Sequence, residues 1–140
     1  MIADFPLDFA RFRKIARPNQ CLVLPLGFAA LERPDLVAGV FKASVTDVRR
    51  AWLQCLQSQP RTGKIREAGG QIEAIQRSAL MGFPDYITAQ PVDLGDGTSS
   101  ICIFSRSQVG HSDLGVNAKR CRTLLALLSH LLADTGAISA

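Results

Sequence analysis

Apolar positions change period several times along the chain, and each change predicts an element. Val45, Val48, Trp52, Cys55 and Leu56 recur at helical spacing. Ser44 followed by Asp47 resembles a capping box, with Asp in place of the preferred Glu. The pattern predicts a helix over residues 46–57, which Pro60 stops from continuing. Val116, Cys121, Leu124, Leu125, Leu128, Leu131 and Leu132 form a wider stripe. They predict a long final helix over 117–133, with Gly136 as its stop signal. Shorter alternating runs predict strands at 37–43, 62–68, 71–77, 85–93 and 99–107. Gly69-Gly70 is a hairpin turn signal between the second and third of these. Leu94-Gly95-Asp96-Gly97 turns the chain between the last two. On 85–93, Tyr86, Thr88 and Val92 fall on one face, Ile87 and Ala89 on the other.

The run Ile101, Cys102, Ile103 and Phe104 is apolar on both faces, so this strand is expected to be central and covered on both sides. A helix is the expected cover on one side, and the N-terminal arm or a pocket on the other. Residues 1–36 lack a sustained period. Phe5, Phe9 and Phe12 share a helical face for a turn or two. Pro18-Asn19 makes a turn, and Pro25, Gly27 and Pro34 keep the following segment irregular. We expect 1–36 to form an arm over the core, anchored by Leu22, Leu24 and Phe28, and 37–136 to form a single α+β domain, one domain overall. The fold class expected is α+β: a curved antiparallel sheet with two helices packed on one face and a long C-terminal helix.

Composition adds bounds. The chain has 140 residues, is 47% hydrophobic and 20% charged, and is therefore globular rather than disordered. Its formal net charge is +4, but no long Lys/Arg run occurs and aromatics are only 6%, which disfavours nucleic-acid binding. Cys21, Cys55, Cys102 and Cys121 form no CxxC pair and no zinc spacing, so buried free thiols are expected. The histidines are His111 and His130. The second lies on a helix face near leucines and is expected to be partly buried. No metal or cofactor is implied. The first ten residues contain Asp4 and Asp8 and no uninterrupted apolar core, so no signal peptide is expected. The apolar run at 21–31 is too short to span a bilayer and is broken by Pro25 and Gly27. A cytoplasmic location is expected from the absence of a signal, with envelope association as the alternative. Oligomeric state is not legible.

Candidate chemistry concentrates between Ser105 and Arg120. Ser105 and Ser107 share one side of a strand and Arg106 takes the other. Gly110 and Gly115 permit crowded or left-handed backbone. Asn117 is a candidate N-cap for the final helix, and Asp113 can fold back onto amides of its own loop. One reading is an anion site, in which Arg106 and Arg120 supply planar forks beside the free amides of the helix N-terminus. The other is that the connector satisfies itself, Asp113 pairing with Arg106 or Arg120 and the serines bonding to backbone. His111-Ser112-Asp113 is not a hydrolytic triad, because adjacent side chains point apart and the Gly-x-Ser-x-Gly elbow is absent. A second polar punctuation is Arg77-Ser78 followed by Phe83-Pro84-Asp85, where Asp85 is placed to pair with Arg77 or Arg106 across the sheet and reads as an ion pair or turn cap rather than a general base.

The pattern Ser105-Arg106-Ser107-x-x-Gly110-x-Ser112-Asp113-x-Gly115-x-Asn117-x-x-Arg120 resembles the C-terminal signature of the family called domain of unknown function 1499, found in bacteria and plants. Pro18-Asn19 with Cys21, the Arg77-Ser78 pair and Phe83-Pro84-Asp85 agree with it. The resemblance covers roughly residues 17–133 and implies no activity. Many family members carry an N-terminal membrane segment or lipoprotein signal, which is not visible here.

These observations lead to a non-enzymatic module that binds a small anionic or amphipathic ligand. Its candidate residues are Arg77, Asp85, Ser105, Arg106, Ser107, Ser112, Asp113, Asn117 and Arg120. Two alternatives stand beside it. One is a hydrolase- or lyase-type enzyme using Asp85 or Asp113 with Ser105. The other is a structural or envelope-associated interaction domain, which requires an exposed apolar patch.

Overall fold

The fold is described from a computed structural model, which places residues 5–14, 19–107 and 115–134. The elements run β1 (Gln20–Pro25), β2 (Leu36–Ala38), α1 (Val45–Gln57), β3 (Thr62–Ala68), β4 (Gln71–Arg77), β5 (Pro84–Gly95), β6 (Thr98–Ser107) and α2 (Val116–Asp134). The strands form one six-stranded sheet in the order β2-β1-β6-β5-β4-β3. From β3 to β6 the sheet is a meander of antiparallel hairpins. Gly69 and Gly70 make the first of its turns with φ of 57° and 77°, the left-handed pair that a two-residue hairpin needs.

Three sequence expectations are corrected here. The sheet is mixed, not purely antiparallel, because β2 pairs parallel with β1, Val23 opposite Leu36. Residues 20–25 are also not part of an irregular arm. They form β1, which inserts beside β6 with Cys21 opposite Ser105 and Leu22 opposite Phe104. The run Cys21 to Leu24 is fully buried because a strand inside a sheet has apolar neighbours above and below. The strand expected at 37–43 is short: β2 ends at Ala38, and only an isolated bridge joins Phe41 to Ser99.

β6 divides the core. Its odd positions Ile101 and Ile103 fall in a cluster with Cys21, Val23, Ile72, Ala74, Ile87 and Ala89, and with α1 and α2 residues including Trp52, Leu56, Leu124 and Leu128. Its even positions Cys102 and Phe104 fall in a second cluster with Leu22, Leu24, Leu7 and Phe9. Phe12 joins the second cluster, with its ring 4.9 Å from that of Phe104. Gln71 fastens this N-terminal segment, accepting from the Leu7 amide at 2.7 Å and donating to the Leu7 carbonyl. All four cysteines are buried free thiols.

Helix α1 begins one residue earlier than predicted and is capped by the expected Ser44, whose hydroxyl accepts from the Asp47 amide at 3.1 Å. Helix α2 begins one residue earlier than the pattern predicts, so Asn117 lies inside its first turn and not at the N-cap. His130 is exposed on α2, contrary to the partly buried position expected of it.

Candidate functional site

The alternation of β6 decides how the candidate residues are grouped. Ser105 and Ser107 face α2, while Arg106 projects through the opposite side of the sheet. Two separate polar networks result.

On the helix side, the Asn117 carboxamide joins three elements. Its Nδ2 donates to the Asn19 carbonyl and to Ser107 Oγ, each at 3.0 Å. Its Oδ1 accepts from Ser105 Oγ and from Arg120 Nη1, each at 2.6 Å. Arg120 lies one turn further along α2, on the same face. Its Nη2 donates to Asp85 Oδ2 at 2.7 Å, Nη1 also reaches Ser105 Oγ at 3.1 Å, and Nε donates to Gln76 Oε1. Arg120 therefore ties α2 to β4, β5 and β6. The Arg120 and Asp85 side chains are only 10% and 12% exposed, so the pair is shielded from bulk water and from salt. Asp85 is an ion-pair member, as read from the sequence, but its partner is Arg120 and not Arg77 or Arg106. Asp85 and Ser105 both bond to the Arg120 guanidinium. The Ser105 hydroxyl is fully buried, with its proton directed at Asn117.

On the other face, Arg106 is wholly buried beneath the N-terminal segment's side of the sheet. Its Nη1 donates to Thr88 Oγ1 at 2.7 Å and to the Phe104 carbonyl at 3.0 Å, and its Nη2 lies 3.4 Å from Glu73 Oε2. Thr88 Oγ1 in turn donates to Glu73 Oε2 at 3.0 Å. The half-exposed Arg66 covers the other carboxylate oxygen, Glu73 Oε1, at 2.8 Å. The Arg106 guanidinium also lies 4.9 Å from the Phe104 ring centroid, within cation–π range. Burial lowers the Arg106 pKa to about 10, against the opposing pull of Glu73, so the group is still a cation at neutral pH. Arg106 and Arg120 thus do not form a joint clamp, as one sequence reading required. They stabilise opposite faces of the sheet.

A surface cleft of about 470 Å³ opens beside the helix-side network. Arg61, Arg77, Lys119 and Arg120 line it, and among the described residues Asp85 is the sole lining carboxylate. Ser78 and Gln76 add neutral polar groups, and Pro60, Ala79 and Val116 add apolar surface. Asp85 is already taken by Arg120. Arg77 donates Nη1 to the Gly82 carbonyl at 2.9 Å, and Arg61 donates Nε to the Arg77 carbonyl at 3.0 Å. These backbone bonds orient both guanidiniums without neutralising them. Among the described residues no carboxylate pairs with Arg61, Arg77 or Lys119.

Of the residues singled out by sequence, Arg77, Asp85 and Arg120 line the cleft, and Ser105, Ser107 and Asn117 brace its floor from behind. Arg106 lies on the far face. Ser112 and Asp113, with Gly110 and His111, lie outside the described residues. Sequence reasoning missed Glu73, Thr88 and Asn19 as network members, and Arg61, Gln76 and Lys119 as cleft walls. Glu73 did carry a signal, as a lone carboxylate inside the apolar strand Gln71–Arg77. Among the described residues no group of three or more His, Cys, Asp or Glu side chains is placed to hold a metal ion. No described helix is long and apolar enough to cross a membrane.

No curated protein matches the chain. A family model described as "Protein of unknown function (DUF1499)" matches residues 16–128, which takes in β1, the whole hairpin meander, the 105–120 signature and most of α2. The match covers most of the chain, and the chain belongs to the DUF1499 family of proteins of unknown function.

Proposed function

We propose that the protein is a binding module for a small anionic or amphipathic molecule, held in the cleft between the β4–β5 side of the sheet and the first turns of α2. The observation that carries this reading is the charge of the cleft. Among the described residues four cationic side chains line it against one carboxylate, and that carboxylate is bound to Arg120. Like charges gathered around a concavity repel one another and raise the local potential, which an entering anion relieves. Two of the walls are guanidiniums held by backbone carbonyls, so their forks are oriented before a carboxylate or phosphate arrives. The volume of about 470 Å³ falls within the range of small-molecule sites. Pro60, Ala79 and Val116 provide contact for an apolar portion of the ligand.

Calorimetric titration of the whole chain with inorganic phosphate and with octanoate tests this reading. Binding is expected to weaken with added salt and to drop roughly tenfold in an Arg77→Ala, Lys119→Ala double variant, in line with the loss of two cations near a shared anion. Titrations showing no binding of either anion, or equal binding by the double variant, would overturn it.

A further inference from the structure

Residues 78–83 connect β4 to β5 and carry three large apolar side chains into solvent. Leu80 is 91% exposed, Met81 64% and Phe83 41%. The turn is internally bonded. The Gly82 amide donates to the Ser78 carbonyl at 3.1 Å, and the Ser78 amide to the Phe83 carbonyl at 3.0 Å. The Phe83 amide donates to Ser78 Oγ at 3.0 Å, and Arg77 Nη1 closes the base on the Gly82 carbonyl at 2.9 Å. None of these bonds involves the side chains of residues 80, 81 or 83, so polar residues there would permit the same turn. The apolar tip is held outward by a scaffold that does not itself need it.

The tip is continuous with the cationic cleft. Ser78 and Ala79 form its base and also line the cleft, beside Arg61, Arg77 and Lys119. Val116, on the opposite wall, is itself 45% exposed. An apolar projection rimmed by cations that have no carboxylate partner among the described residues is complementary to one kind of surface. At a bilayer interface, acyl chains accept apolar side chains and anionic phosphates accept Lys and Arg. A protein partner fits less well. Three side chains fall far short of the ~800 Å² that each side of a specific protein interface buries.

We propose that the 78–83 tip and the adjacent cleft dock the protein on an anionic phospholipid bilayer. Leu80, Met81 and Phe83 enter the headgroup–acyl boundary, and Arg61, Arg77 and Lys119 meet lipid phosphates. This rests on the anion-binding reading of the cleft and names a lipid headgroup as its anion.

The test is co-sedimentation of the whole chain with vesicles of phosphatidylcholine alone and of phosphatidylcholine mixed with phosphatidylglycerol. Inorganic phosphate binding is measured in parallel. Wild type is expected to sediment with the mixed vesicles and not with phosphatidylcholine alone. A Leu80→Asn, Met81→Asn variant, which removes the apolar tip without adding charge beside the cleft, should lose at least tenfold in vesicle binding while keeping its phosphate affinity and its urea midpoint. Lys119→Ala should weaken vesicle binding roughly fivefold. Equal sedimentation with both vesicle types, or undiminished binding by the Leu80→Asn, Met81→Asn variant, would overturn the proposal. Phosphate binding without vesicle binding removes the docking proposal and leaves the anion cleft standing. Vesicle binding that resists Lys119→Ala and Arg77→Ala, with no phosphate bound, removes the cleft reading and the cationic half of the docking surface with it. A concentration-dependent dimer abolished by Leu80→Asp also overturns docking, by assigning the tip to a second copy of the chain.

Discussion

Ser105 and Arg106 are consecutive on β6 and serve opposite faces of the sheet. The Ser105 hydroxyl donates to Asn117 Oδ1 at 2.6 Å, and Arg106 Nη1 donates to Thr88 Oγ1 at 2.7 Å. Each residue sits in a buried network whose members come from other elements, α2 for Ser105 and neighbouring strands for Arg106. The consequences of disturbing the two networks are separable.

On the Arg106 side, the carboxylate of Glu73 is what makes a buried guanidinium tolerable. Glu73→Ala leaves that cation without a counterion and should cost about 3–5 kcal/mol. Replacing both partners, Glu73→Leu with Arg106→Met, should recover most of the loss. Urea midpoints of the three chains check this. A loss below about 1 kcal/mol in Glu73→Ala would show that Thr88, Phe104 and solvent suffice for Arg106.

On the helix side, Asn117→Ala removes one side chain that both donates and accepts. The Asn19 carbonyl and Ser107 Oγ lose a donor, and Ser105 Oγ loses its acceptor. The expected cost is about 2–4 kcal/mol, because buried groups left unpaired carry their desolvation penalty. Hydrogen exchange should show the damage at β1 and at the start of α2 before it reaches β3. Uniform acceleration across the sheet would contradict this local role.

Asp85 subtracts from the cleft charge. Asp85→Asn removes that carboxylate while Arg120 keeps its bonds to Ser105, Asn117 and Gln76. Phosphate should then bind about fivefold tighter, as expected for removing one negative charge near the site at an intermediate dielectric. The folded state should meanwhile lose about 1–3 kcal/mol, since the partner of a shielded cation is gone. An unchanged or weaker phosphate affinity would remove the cleft from consideration as the anion site.

The thiols give a pH dependence with a definite sign. Burial pushes Cys55 up to about 11 and Cys102 up to about 12, and Cys121 is also raised, chiefly by its hydrogen bond with Cys21. Raised folded values mean that the unfolded chain releases these protons first. The stabilising contribution is full below the unfolded thiol value, near pH ~9, and is lost as pH climbs from there through about 11 and 12. Each such group steepens the decline by up to ~1.4 kcal/mol per pH unit. Urea midpoints at pH 8, 9 and 10 should fall, and a Cys102→Ala chain should fall less steeply. Parallel curves for the two chains would refute the assignment.

Legibility in the sequence followed the strength of the local signal. Both helices and the four hairpin strands were readable because their periods run long enough to be unambiguous and Gly69-Gly70 marks a turn chemically. β1 was missed because Pro25 and its neighbours suggest irregularity, and because a four-residue apolar run has no period. The signal was nonetheless present: an unbroken Cys21-Leu22-Val23-Leu24 run is what a strand buried on both faces requires. Arg106 and Arg120 were singled out as candidate anion ligands, but strand alternation alone does not say which partners wait on each face. Glu73, thirty-three residues from Arg106, becomes its neighbour only through the register of three strands. Asn117 looked like a helix cap because its chemistry suits one. One of its actual partners, the Asn19 carbonyl, lies ninety-eight residues away.

The placement of β1 has a kinetic consequence. β1 pairs antiparallel with β6, the most distant of the described strands along the sequence, Cys21 against Ser105. Its apolar run must therefore wait until β2 to β5 have been made before its main hydrogen-bonding partner exists. Contacts so distant along the sequence slow the search for the native state. The hairpin meander of β3 to β6, built from local pairings, is the natural platform to form first, with β1 closing the sheet afterwards. A nascent chain that stalls before β6 holds an unpaired apolar strand, the species most exposed to capture by chaperones or by other unfinished copies.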